Sequence, residues 1–151
     1  MEDEQMAREW VFLQETAISV DKTIGELQAL LVKSGADQIS IKYSGGEPLA
    51  LRFTMQISEK EAWFQLPVHW RNVYNILGKY GGKAEAQAKR TAWRQVLAWV
   101  KAQMAMIQAE QIKAPQAYMP HMVVNGPDGE SSMYEIVESG AMNLLPAGSS
   151  G

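Results

Sequence analysis

Arg90 and Arg94 stand one helical turn apart in the stretch EAQAKRTAWRQVLAWVKAQMAMIQAEQ, residues 85–111, with Lys83 and Lys101 on the same side. At about 100° per residue these four cations and Gln87 fall into one row. Two arginines spaced this way present two planar donor forks, within reach of one phosphate or of two neighbouring ones. Tyr80-Gly81-Gly82-Lys83 leads into the same helix, so Lys83 lies near its positive end, although the glycines read first as a flexible connector. Stacking on a base needs an aromatic face, and Trp63 and Phe64 are the candidates for it. The expected ligand-binding residues are therefore Arg90, Arg94, Trp63, Phe64, Lys83 and Lys101.

Other chemistries find less support. His69 and His121 have no His or carboxylate partner at i+3 or i+4, the spacing that puts two metal ligands on one helix face. There is no cysteine, hence no thiolate ligand, cysteine nucleophile or disulfide. A G-x-S-x-G elbow is missing as well. Tyr43-Ser44-Gly45-Gly46-Glu47 lies between two strand patterns and reads as a hairpin turn, because a phosphate loop needs a helix behind it. These observations predict a non-enzymatic protein with no metal or other cofactor.

A chain of 151 residues, 46% of them hydrophobic, suffices for one ordinary core. The net charge of -3 hides an uneven distribution. Nine Lys or Arg against three Glu give residues 60–113 a net charge of +6, and no Lys or Arg follows Lys113. A basic middle with acidic ends suits an anionic partner, with a solvated helix face as the plain alternative. The start, MEDEQMAREW, lacks the order of a signal peptide, and no apolar run approaches the roughly 18 residues of a membrane span. A cytoplasmic protein without membrane contact is expected.

The elements that position these residues follow from periodicity. Trp10–Val20 is rich in β-formers and predicts a strand, then Asp21 fits a helix N-cap, with Thr23 and Glu26 as an alternative capping box. Ile24, Leu27, Leu30 and Leu31 mark the first helix, which Gly35 ends. The period then changes to two. Ile39, Ile41 and Tyr43 alternate with polar residues, as do Leu51, Phe53, Met55 and Ile57, around a turn at 44–47. Residues 61–66 form a third strand, with Ala62, Phe64 and Leu66 opposite Trp63 and Gln65.

Pro67 opens a helix over about 68–77, packed through Trp70, Val73, Tyr74 and Leu77. The long helix, 83–113, carries an apolar stripe of Trp93, Val96, Leu97, Val100, Met104 and Ile107 and is ended by Ala114-Pro115. Beyond it, Asn125–Gly129 is a turn cluster and 132–139 a short helix. The resulting expectation is an α+β fold, an antiparallel sheet of three to four strands packed with helices. Its organisation is a disordered acidic end at 1–8, a single α+β domain at 9–113, a C-terminal extension at 114–146 and a linker-like tail at 147–151. Trp99 and Met106 lie off the main stripe, Trp99 roughly 120° around from Trp93, which predicts a homo-oligomer built through the long helix.

Val20-Asp21-Lys22-Thr23-Ile24, Arg90-Thr91-Ala92-Trp93-Arg94, Pro127-Asp128-Gly129 and Leu144-Leu145-Pro146 carry a resemblance to a group of small bacteriophage and prophage proteins. It runs from about residue 18 to 146, leaving 1–16 without a pattern to compare. It implies a phage-related setting, in which small proteins act by capture of nucleic acid, of a host protein or of a nucleotide signal of host defence. The expected function is capture of a phosphorylated nucleotide, with Arg90 and Arg94 on phosphate. The alternatives are single-stranded nucleic-acid binding and a protein-interaction module that inhibits a host factor.

Overall fold

The computed structural model describes residues 10–148. The expected disordered end at 1–8 and the last part of the expected tail lie outside that range. The fold is α+β, and the described residues divide into two compact units, 10–35 with 67–112 and 36–66 with 113–148.

The first unit is helical. Its longest element, α3 (Gly82–Gln108), buries Ala88, Thr91, Ala92, Trp93, Val96, Leu97, Val100 and Met104. These are the expected stripe with smaller residues added at its upper end, Ile107 being half-buried. Helix α1 (Val20–Lys33) buries Thr23, Ile24, Leu27 and Leu31, and α2 (Trp70–Leu77) buries none of its residues fully. The cap of α1 differs from expectation. Ser19 Oγ accepts from Lys22 N–H at 3.2 Å, so Asp21 falls inside the first turn, where its charge favours the helix dipole.

The strand expected within Trp10–Val20 does not form. Residues 12–15 make a turn with Leu13 at φ 64°, and Val20 already begins α1. Side chains of α3 satisfy the carbonyls that a strand ladder would otherwise need. Gln95 donates to Phe12 O at 2.8 Å, Thr91 to Leu13 O at 3.0 Å, and Gln87 and Arg90 to Thr16 O at 3.0 and 3.3 Å. Intrinsic β-preference gives way because these long-range partners complete the backbone's hydrogen bonds in a non-strand path.

Helix α3 also stops earlier than Pro115. Glu110 adopts φ 59°, its N–H reaches Ile107 O at 3.0 Å, and Gln111 N–H reaches Met106 O at 3.0 Å. This pair of bonds closes a helix through a left-handed residue, here without glycine. Pro115 instead lies in the first turn of α4 (Ala114–Tyr118), where a missing N–H costs nothing.

In the second unit, β1 (Ile39–Ser44), β2 (Glu47–Ile57) and β3 (Lys60–Gln65) form an antiparallel sheet in that order. Gly45 and Gly46, at φ 58° and 81°, supply the left-handed two-residue turn that matches strand twist. Leu51, Phe53, Met55 and Phe64 are buried, and the rings of Phe53 and Phe64 stack at 5.3 Å while Tyr118 meets Phe53 edge-on at 5.2 Å. The segment after α4 contains a hairpin that the sequence pattern does not reveal, β4 (Val123–Gly126) with β5 (Gly129–Ser132), followed by α5 (Met133–Glu138). A bridge between Phe64 and Met122 joins this segment to β3.

Arg52 of β2 meets Glu130 of β5 at 2.8 Å. The Arg52 guanidinium, by its hydrogen bond first and its charge second, holds the Glu130 carboxyl below the ordinary value of 4.5. A carboxyl whose pKa is lowered in the folded state stabilises above its unfolded pKa, and that contribution disappears as pH falls through the folded one. Glu130→Gln should therefore differ from wild type in urea unfolding at neutral pH and match it well below pH ~4. An undiminished difference in acid would contradict the assignment.

Candidate functional site

The expected arginine pair is committed to the fold. Arg94 forms an ion pair with Glu26 of α1 and donates to Thr23 Oγ1 at 3.4 Å. Its side chain is only 14% exposed. Arg90 donates to Thr16 O, as above, and to Gln87 Oε1 at 2.6 Å. Arg94 thus donates to α1, and Arg90 to the segment before α1 and to Gln87 of its own helix. The spacing placed them correctly on the shoulder of α3, and the partners across that shoulder decide their role.

Phe64 requires a plain correction as a stacking residue. It has no exposed surface, its ring lies on Phe53, and the alternation of β3 puts it on the face opposite Trp63. Trp63 is 37% exposed, paired in register with buried Thr54 of β2. Lys83 and Lys101 are both exposed on α3. Eighteen residues of helix separate them by about 27 Å, so they do not share one small ligand.

What gathers along the chain before Lys83 is a cluster that the individual residues do not announce. Along α2 and the α2–α3 turn, the rings of Trp70 and Tyr74 meet edge to face at 6.2 Å, and those of Tyr74 and Tyr80 at 5.9 Å. The Arg71 guanidinium lies 4.9 Å from the centre of the Trp70 ring, and the Lys89 ammonium 4.7 Å from it. Lys89 also pairs with Glu85 at 3.2 Å. Tyr74 Oη accepts from Gly81 N–H at 3.2 Å, which fixes the turn carrying Tyr80 and Lys83. Tyr80 is 78% exposed. Arg71, Lys79 and Lys83 are exposed, Lys79 directly before Tyr80 in the chain and Lys83 three residues after it.

The local sequence explains this arrangement. In Trp70–Leu77 the rings at i and i+4 share one face, and Gly78 at φ 68° ends the helix so that the chain can fold back toward α3. Each feature had a bland reading alone: Trp70 and Tyr74 as packing, Tyr80–Lys83 as connector. Their juxtaposition is tertiary. Chemically, the cluster offers the exposed Tyr80 ring for stacking and side-chain cations for phosphate, while Arg71 and Lys89 already lie against the Trp70 ring.

Among the described residues, no group of three or more His, Cys, Asp or Glu could hold a metal ion, and no helix is long and apolar enough to cross a membrane. No protein-family model, curated protein or solved structure matches the chain.

Proposed function

We propose that this protein binds single-stranded nucleic acid, without catalysis, along α2 and the start of α3. The observation that supports this most is the exposed Tyr80 ring, backed edge to face by Tyr74 and through it by Trp70, in the same stretch as the exposed cations Arg71, Lys79 and Lys83. Non-specific strand binding needs those two ingredients together: π-faces on which successive bases stack, and cations that track the phosphates. Capture of a single phosphorylated nucleotide has less support, because Arg90, Arg94 and Phe64 are occupied within the fold. An extended ligand also fits a helix that buries none of its residues fully better than an enclosed one does.

In the phage setting implied by the sequence resemblance, such a protein would act by capture in the host cytoplasm. We assign the outer face of α3, where Met106 is 37% exposed and Trp99 half-buried, to a second copy of the chain. Light scattering at tens of micromolar reads this directly. An oligomeric mass that Met106→Glu lowers is expected, and a monomeric mass would remove this part of the proposal.

Strand binding is tested by anisotropy with a labelled oligonucleotide at several salt concentrations. Affinity that falls steeply with salt, through release of counterions, is expected. Absence of binding even at low salt would overturn the reading.

A further inference from the structure

Beside the ring cluster lies a cavity of about 270 Å³, with half-buried Val11, Leu77 and Ala84 as its apolar floor and exposed Ile76, Glu15 and Lys79, with Gln14 and Gln87, as its rim. Its volume falls just below the range of about 300–1,000 Å³ that takes drug-sized ligands, which suits one planar ring system. Lys79 belongs both to this rim and to the basic row, so a strand on the row would pass the cavity mouth.

The rim has a definite hydrogen-bond polarity. Gln87 is consumed, donating to Thr16 O and Thr91 Oγ1 and accepting from Arg90. Gln14 Oε1 accepts from Val11 N–H at 2.8 Å, which leaves its amide N–H groups as donors. Glu15 offers a carboxylate that accepts only, and Lys79 an ammonium that donates only. The rim therefore combines one double acceptor, Glu15, with two donors, Gln14 and Lys79.

Among the common bases, guanine alone carries two adjacent donors on its Watson–Crick edge, N1–H and N2–H2, beside the acceptors O6 and N7. Adenine and cytosine would each turn a ring-nitrogen lone pair toward the carboxylate, and uracil or thymine a carbonyl oxygen. We infer that the cavity receives a guanine base, its N1–H and N2–H2 on Glu15 and its O6 and N7 on Gln14 and Lys79, with the apolar floor against the ring. This deepens the strand-binding reading and rests on it, except that a free guanine nucleotide would present the same edge.

The test uses the full chain, an all-thymine oligonucleotide, the same oligonucleotide with one internal guanine, and that guanine replaced by adenine or hypoxanthine. Competition by guanosine and adenosine monophosphates forms a second arm. One guanine should tighten binding about tenfold, adenine should not, and hypoxanthine, which lacks the 2-amino group, should lose most of the gain. Glu15→Gln and Ala84→Leu, the second filling the cavity without touching a charge, should each bring the guanine oligonucleotide down to the all-thymine level.

Equal binding of all oligonucleotides by wild type overturns the guanine inference and leaves strand binding intact. So does a preference that survives both variants. If no oligonucleotide binds but guanosine monophosphate does, in preference to adenosine monophosphate, the base site stands with a free nucleotide as its ligand and the strand reading falls. If nothing binds, both fall.

Discussion

Trp93→Ala is expected to lower the unfolding free energy by about 3–5 kcal/mol, a large part of the roughly 5–15 kcal/mol that holds a typical domain together. Trp93 is among the largest fully buried side chains, and it occupies the middle of the stripe through which α3 packs. Truncation removes its transfer free energy and leaves a cavity that the rigid helix cannot collapse into. Its neighbour Arg94 should behave differently in size but not in kind. Arg94→Ala strands Glu26, which is 37% exposed, so solvent screens much of the lost pairing and the cost falls to about 1–2 kcal/mol. Neither variant touches the ring cluster. Where Arg94→Ala remains folded, its oligonucleotide affinity should equal that of wild type, and a selective loss of binding with unchanged urea unfolding would return Arg94 to the ligand.

How much of this was legible in the sequence depends on the range of the interactions. The β1–β2 hairpin and the stripe of α3 were readable because period and turn chemistry are local: alternation about Gly45-Gly46, and apolar residues recurring from Trp93 to Met104. The path of residues 10–19 was not, since its carbonyl partners Gln87, Arg90, Thr91 and Gln95 stand 71 to 83 positions away along the chain. Strands β4 and β5 have four residues each, and the second reads Gly-Glu-Ser-Ser, too short and polar to show a period.

The candidate site divides the same way. Helical spacing found the row from Lys83 to Lys101, but only tertiary structure shows that Glu26 and Thr16 claim its two arginines. Nor could spacing show that Tyr80, beyond Gly78, folds back against Tyr74 to extend the rings of α2. The end of α3 had no glycine to mark it, because Glu110 takes the left-handed position.

Removing Arg71, Lys79 and Lys83 together, each to serine, should have the largest effect on binding. A cation that neutralises a strand phosphate contributes about 0.7 to the slope of log K against log salt concentration. Three such contacts lower that slope by about 2, equivalent to about 100-fold in affinity at 0.1 M salt. The three side chains are exposed, so the fold should survive, as far-ultraviolet circular dichroism would show. Lys101→Ser, about 27 Å along α3 from Lys83, is the matched control. The salt dependence of oligonucleotide affinity in wild type, the triple variant and the Lys101→Ser control is the most direct test of the account. A steep wild-type slope, cut by about 2 in the triple variant and unchanged by Lys101→Ser, is the expected result. The same slope in all three proteins would contradict it.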